Sequence, residues 1–480
     1  MKNLLRLRVL DRPILYDRSS GAWAPVDGKT WALAGLARAE KGGDPGTLMS
    51  RLKDLGLLKG NGQRRSKEQL KNDSGLDCDS SALKNIILQV SHACNLRCSY
   101  CGVDYGRYGK TFRYMSLATA RKAVDFLFKM TKSSRLAITY FGGEPLLNTK
   151  VVLDSAHYAL QRAQALKKSL LLHLVTNGVL LTNDMLIQLD KLGFSLTISL
   201  DGPPARHNGL RRLPDGKGSY HQTATAIERA ASLPIGNRIT LRGTYARPTV
   251  SFSSAVKFLV EKGFSKNISY EPVFLPRSHS LSLRWQDLPR VKKAYTDLAR
   301  FYVQNIRKDR PFCFWDFDDA LIQLSLGRPR KAHCGAGVTT VAITAEGDLY
   351  GCHMSTGMKE AWLGTLQDGI LKARQSPWLQ IYENGRPGCK GCWLKMHCGG
   401  GCNTHALLYE GSIKRPYRYE CEINQWLYRM AMGILSECPG LKDLISNYFP
   451  PGEQRDLGHV TVPLWWLMEN PTARGSYNAS

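Results

Sequence analysis

Thirteen cysteines, ten of them in two spaced groups, constrain this chain of 480 residues more than any other feature. An odd number, with no apolar signal segment in Met1–Pro13, argues against a disulfide framework and for metal ligation in a reducing cytoplasm. The first group, SHACNLRCSYC, places Cys94, Cys98 and Cys101 as C-x3-C-x2-C. Three thiolates on one loop can hold three irons of a 4Fe–4S cube and leave the fourth open, whereas a zinc site is the plainer alternative. The second group runs Cys334, Gly347 and Cys352 (C-x12-G-x4-C), then Cys389, Cys392, Cys398 and Cys402 (C-x2-C-x5-C-x3-C), then Cys421. Seven cysteines do not divide into two closed four-thiolate zinc sites.

Between and before the groups the chain alternates in a readable way. Apolar runs at Ile86–Val90, Leu136–Phe141, Leu170–Val175, Ser195–Leu200, Ile239–Gly243 and Asn267–Val273 predict strands. Amphipathic stretches such as Ser116–Met130 and Thr182–Leu192 predict helices between them. That order means a parallel sheet with helices outside, a partial (β/α)6 TIM-like barrel whose ligands sit at the C-terminal strand ends. Ahead of it, short strands over Leu5–Leu10 and Ile14–Trp23 and helices near Thr30–Ala39 and Gly46–Leu55 suggest a winged-helix module over 1–58. A polar stretch, GNGQRRSKEQLKNDSG, reads as a linker over 59–84. After residue 310 the alternation stops, and cysteine and glycine dominate 311–435, a region that bound metal would organise. Residues 436–480 form a tail with one apolar run, Val460–Met468.

The strand ends carry the remaining motifs, and with the first cysteine group they give the chain its resemblance to the radical S-adenosylmethionine (SAM) enzymes. Phe141-Gly142-Gly143-Glu144-Pro145 follows the second strand, where glycines admit close backbone approach and Glu144 can pair with an ammonium. Thr176-Asn177-Gly178 follows the third strand and Ser199-Leu200-Asp201-Gly202-Pro203 the fourth, with H-N-x-x-R from His207 to Arg211 beyond. The resemblance implies that Cys94, Cys98 and Cys101 hold the cluster that binds and cleaves SAM. It also implies that Gly142, Gly143 and Glu144 meet the SAM amino group, with Asn177 and Ser199 lining the pocket. Arg211 is the expected partner of the SAM carboxylate, because a guanidinium grips a carboxylate with two parallel bonds, and Arg242 is the alternative.

The second cysteine group resembles the SPASM extension of radical SAM peptide maturases, which carries two auxiliary 4Fe–4S clusters, making three in all. By that resemblance Cys389, Cys392, Cys398 and Cys421 close one cluster, while Cys334, Cys352 and Cys402 hold the other. Cys313, 21 residues upstream of Cys334, is the candidate fourth ligand, and without it one iron stays open to a substrate thiolate. Cys78 and Cys438 are expected to be structural. Asp201 and His353 are the candidate catalytic bases, each with a plainer reading as a satisfied turn carboxylate or a packing residue.

An excess of 66 Lys+Arg over 40 Asp+Glu gives a formal charge of +26 and implies an acidic partner. A winged helix on a basic chain would suit DNA, but fused to this core it resembles the element that captures a peptide leader as an added strand. The expected activity is therefore cytoplasmic radical modification of a peptide or small protein, giving intrapeptide thioether links. It resembles the maturation of quinohemoprotein amine dehydrogenase, with flavodoxin or ferredoxin as electron donor. Carbon–carbon or ether cross-linking is the rival within the mechanism, and a tRNA-modifying radical enzyme lacks a recognisable RNA-binding appendage here. An iron–sulfur electron carrier or redox-sensing DNA-binding protein is the non-catalytic rival. No run approaches the ~20 apolar residues a membrane helix needs.

Overall fold

The computed structural model describes residues 3–38, 45–57, 83–109, 111–327, 329–330, 332–448 and 468. Cys78, most of the expected linker and nearly all of the apolar tail run lie outside these residues.

Three short strands open the chain: β1 (Leu4–Val9), β2 (Arg12–Asp17) and β3 (Trp23–Pro25), antiparallel in the order β1-β2-β3. The β2–β3 turn forms because the Asp17 carboxylate accepts from Ser19 N (3.1 Å) and the Ser20 hydroxyl (2.6 Å), while Gly21 takes φ +76°. Helices Gly28–Arg38 and Pro45–Asp54 cover one face of this sheet, where Leu4, Leu15 and Ala24 meet Ala34, Leu48, Leu52 and Leu57. The opposite face, Leu7, Val9, Ile14 and Tyr16, enters the main core of the molecule. It packs on helix Arg418–Glu437, where a Cβ on Gly433 would come within 2.9 Å of the Leu10 side chain. Glu437 then ties Arg12 (2.7 Å) to Arg307 (2.5 Å).

All six expected strands of the central region form: β4 (Asn85–Ser91), β5 (Arg135–Gly142), β6 (Ser169–Thr176), β7 (Phe194–Ser199), β8 (Ile239–Tyr245) and β9 (Asn267–Pro272). Each pairs in parallel with the next, so their C-terminal ends gather along one rim. The helices between them start where the sequence supplies a cap: Ser116 accepts from Thr119 N (3.0 Å), and Thr182 from Met185 N (3.2 Å). On β5 the buried Leu136, Ile138 and Tyr140 alternate with half-buried Ala137, Thr139 and Phe141, the period of a strand with two unlike faces.

The sheet does not stop at residue 310. Strand β10 (Cys313–Phe314) adds in parallel to β9, and β11 (Thr340–Ile343) adds in parallel to β4. An antiparallel ribbon of β12 (Asp348–Tyr350), β13 (Trp362–Thr365) and β14 (Gly369–Ile370) completes eleven strands. Gly347, at φ +96°, makes the turn from β11 to β12. Strands of two to four residues are too short to show a period in sequence. No helix among the described residues is long and apolar enough to cross a membrane.

One buried carboxyl gives the fold a pH dependence. Asp316, in the first turn of helix Trp315–Leu326, accepts from the Tyr295 hydroxyl at 2.9 Å. Burial, then the charge of Glu271, pushes it from an ordinary 3.8 up to about 7. Between these values the folded chain keeps a proton that the unfolded chain has lost, so stability falls as pH rises through that window. The ceiling is about 4 kcal/mol above pH 7. Asp316→Asn is expected to flatten this slope and to raise stability at pH 8 but not at pH 4, read by denaturant unfolding at both.

Candidate functional site

The first cysteine group occupies the loop that leaves β4. Backbone donors reach two of its sulfurs, Leu96 N to Cys94 Sγ (3.4 Å) and Tyr105 N to Cys101 Sγ (3.1 Å). Burial pushes the Cys94 thiol up to about 12 and Cys98 up to about 11, and each feels the other thiols of the group. Three half-buried thiols on one loop fit a multivalent cationic centre, which would hold them all as thiolates. Among the described residues no three His, Cys, Asp or Glu side chains converge as a single ion requires.

Tyr100, within this loop, is its anchor. Its hydroxyl donates to Asp201 Oδ2 (2.6 Å) and accepts from Arg211 Nη1 (2.6 Å). Arg97 N and Ser99 N bond the carbonyls of Arg212 (2.7 Å) and Leu210 (2.8 Å), so the loop is pinned along the segment after β7. Nothing in the cysteine spacing singled out Tyr100.

Asp201 belongs to the same anchor. Its side chain is fully buried, and its carboxylate is committed to Tyr100 and to Thr244 N (3.1 Å). Its backbone is held too: Asp201 N donates to His207 Nδ1 (3.3 Å), and the Tyr270 hydroxyl donates to its carbonyl (2.6 Å). Burial, then Arg211, lowers His207 to about 3, which keeps that ring neutral and able to accept at Nδ1. Asp201 thus fastens the cysteine loop to the strand ends. Asp201→Asn, which removes one of two acceptor oxygens, is expected to cost about 1–3 kcal/mol and to weaken iron retention. Loss of one limb of the pH–rate profile at full iron content would restore the base reading.

Arg211, the expected partner of a ligand carboxylate, takes part in this anchor as well. It is 9% exposed, one arm is spent on Tyr100, and Asp201 lies 3.9 Å away, so gripping a ligand carboxylate with both arms would break the anchor. Arg242 is more open: its side chain is 31% exposed on the concave face of β8, beside Glu271 at 3.3 Å and in register with Ser199. Ser199 itself is half-buried at the end of β7.

The glycine-rich turn after β5 packs directly against the cysteine loop. Gly143 N donates to Ser91 O (2.9 Å) and Glu144 N to Ala93 O (2.8 Å). The Glu144 carboxylate is buried, accepting from Leu146 N (3.1 Å) and the Thr176 hydroxyl (2.8 Å) on one oxygen. Asn177 N (2.8 Å) donates to the other. Burial outweighs these bonds and pushes it up to about 7, so an arriving cation would favour its charged form. Asn177 also donates from Nδ2 to Asn95 Oδ1 (2.7 Å), stitching the third strand end to the cysteine loop.

The second group resolves into two clusters of thiols. Cys334, Cys352 and Cys402 are half-buried and act on one another through their charges. Cys352 follows β12 and leads into His353, whose ring lies 4.3 Å from that of Phe141, the residue before Gly142. The His353 carbonyl accepts from Gln89 Nε2 (3.1 Å) on β4, so this segment roofs the C-terminal rim close to the first cysteine group. Tyr108 is buried between the two, within the field of Cys101, Cys352 and Cys94.

Cys313 does not join them. It pairs with Asn267, the first residue of β9, at the end of the barrel opposite the roof, and its buried thiol neighbours Asp318 and Asp316. Cys438 is buried in the apolar core. Cys389, Cys392, Cys398 and Cys421 line one recess. Asn424 Nδ2 reaches Cys398 Sγ at 3.5 Å. Glu420 stands between the two groups, bonding Cys402 N (2.8 Å) and His405 Nδ1 (3.2 Å).

Comparison with known proteins accords with this geometry. Residues 88–258, from β4 into helix Ser253–Lys262, match the family model described as the Radical SAM superfamily. The chain is 24% identical over 372 residues to the radical SAM cyclopropyl synthase TigE of Paramaledivibacter caminithermalis, covering 72% of this chain and 73% of that protein. It is 23% identical over 339 residues to the cysteine-type anaerobic sulfatase-maturating enzyme of Clostridium perfringens, covering 67% of this chain and 88% of that one. Among solved structures, native anSMEcpe with bound AdoMet superposes at a TM-score of 0.63 with 20% identity, over 76% of this chain and 100% of that chain.

Proposed function

We propose that this chain, which carries a radical SAM domain over residues 88–258, modifies a peptide or small protein by forming a sulfur-to-carbon thioether. The observation that carries the reading is the trio Cys334, Cys352 and Cys402 at the roof, with no fourth cysteine brought to it among the described residues. An incomplete thiolate set leaves a metal position for a substrate sulfur. The names of the relatives support protein substrates, and one solved relative is described with bound AdoMet and a peptide.

When bound, the three clusters and SAM supply electrons and a carbon-centred radical able to take hydrogen from an unactivated carbon. The chain supplies placement. Cys94, Cys98 and Cys101 hold the first centre, Glu144 meets an ammonium, and Arg242, with Ser199 beside it in register, takes the carboxylate. Cys389, Cys392, Cys398 and Cys421 hold the outer centre. Phe141 and the Gln89-bonded roof exclude water from the space between. His353, whose Nδ1 lies 3.8 Å from Cys352 Sγ, offers Nε2 as the atom that takes the thiol proton. The module over 1–58 takes the leader at the edge of β3.

The test is anaerobic reduction of the reconstituted protein with SAM, and co-expression with a short cysteine-bearing peptide encoded beside it. Formation of 5′-deoxyadenosine and a peptide two hydrogens lighter, with one alkylatable thiol fewer, is the expected result. Intact SAM would overturn the enzymatic reading. The name of one relative, a cyclopropyl synthase, favours a second reading, carbon–carbon closure, in which two hydrogens are lost and every thiol still alkylates.

A further inference from the structure

The N-terminal sheet touches the segment that carries Cys392 and Cys398 at two points, each one residue from a cysteine. Tyr16 of β2 is fully buried and stands edge-on to Trp393, the neighbour of Cys392, with ring centroids 5.1 Å apart. The Gly21 carbonyl accepts from His397 Nε2 at 3.1 Å, and His397, 1% exposed, is the neighbour of Cys398. The fit at Gly21 is close: a Cβ there would stand 3.0 Å from His397 Nε2 and 3.1 Å from Met396 Cβ, at a φ of +76° that side chains disfavour. On its other side the same segment is held by Tyr428, whose hydroxyl donates to the His397 carbonyl at 2.7 Å.

We infer that the N-terminal sheet is a wall of the cluster site of Cys389, Cys392, Cys398 and Cys421, with Tyr16 and Gly21 as positioning residues that set the cluster's retention and reduction potential. The Tyr16 hydroxyl is buried without a hydrogen-bond partner among the described residues, a costly state for a phenol unless an acceptor arrives. A cluster seated on the four cysteines supplies sulfur acceptors, and donors to such sulfurs raise the potential. β3 begins two residues after Gly21, so a strand added to its edge would press on the contact that holds His397.

The inference rests on the reading that these four cysteines hold a 4Fe–4S cluster, and the experiment separates the two. Wild type, Tyr16→Phe and Gly21→Ala are reconstituted as full chains and compared by iron content after desalting and by EPR-monitored redox titration. Gly21→Ala is expected to shed about four irons per chain at least ten-fold faster than wild type, while still cleaving SAM at the first site. Tyr16→Phe is expected to keep its iron and to lower the midpoint potential of one cluster only. A change in either variant supports the wall. Wild-type retention and unchanged potentials in both would overturn it. Should Gly21→Ala fail to fold, Tyr16→Phe alone decides. Wild type that binds only about four irons would instead refute the underlying cluster reading.

Discussion

Alanine at Cys98 is expected to reduce 5′-deoxyadenosine formation at least a thousand-fold, a loss of about 4 kcal/mol of barrier lowering. The loop has little redundancy. Cys98 feels the charges of Arg211 and Asp201 in the Tyr100–Asp201–Arg211 anchor, with Arg211 its strongest favourable charge. Cys94 and Cys101 each lean on a single backbone donor. Two thiolates cannot hold three irons, so the remaining site would lose metal altogether. Cys402→Ala should behave differently. Its sulfur belongs to the roof group with Cys334 and Cys352, so SAM cleavage should persist while the sulfur–carbon product disappears. Quantifying 5′-deoxyadenosine and cross-linked peptide in parallel distinguishes the two, and equal losses in both variants would deny the division of labour.

The sheet was legible in sequence because its strands are long and two-faced. Leu136, Ile138 and Tyr140 repeat at a spacing of two, and the capped helices between strands announce themselves with Ser116 and Thr182. The cysteine groups were legible for a related reason, since local spacing carries them. What failed to show was whatever depends on distant partners. The Tyr100–Asp201 bond joins residues 101 apart in the chain, so an Asp-Gly-Pro turn at a strand end could be read equally as base or as fastener. Arg211 is bound into the same long-range anchor, which its place in the sequence does not reveal. A lone cysteine such as Cys313 has no spacing to interpret, and only its pairing with the start of β9 places it away from the roof. The N-terminal strands did hold an unread signal. Leu4 and Leu15 point one way while Leu7, Val9, Ile14 and Tyr16 point the other, and a small sheet apolar on both faces must be covered on both.

Gly143→Ala is expected to be severely damaging, costing about 3 kcal/mol or more and emptying the first metal site. The added Cβ would lie 2.3 Å from Ala93 O, 2.7 Å from Ala93 C and 2.9 Å from Tyr105 O, all backbone atoms that cannot rotate away. Gly106 locks the opposite side, since a Cβ there would lie 2.5 Å from Gly143 Cα. The glycine turn and the cysteine loop are therefore interleaved backbone against backbone. Relief requires Ala93 to retreat, which breaks its bond from Glu144 N (2.8 Å) and displaces Cys94 one residue on. Gly209, in helix Pro204–Leu210, has nothing within 4 Å of its added Cβ, and Gly209→Ala should be neutral or gain up to about 1 kcal/mol. Denaturant unfolding of the two variants, with iron counted on each, checks the contrast. A Gly143→Ala protein as stable and as iron-rich as Gly209→Ala would show that the two loops can separate without cost, and that the close approach is not what holds the first cysteine group in place.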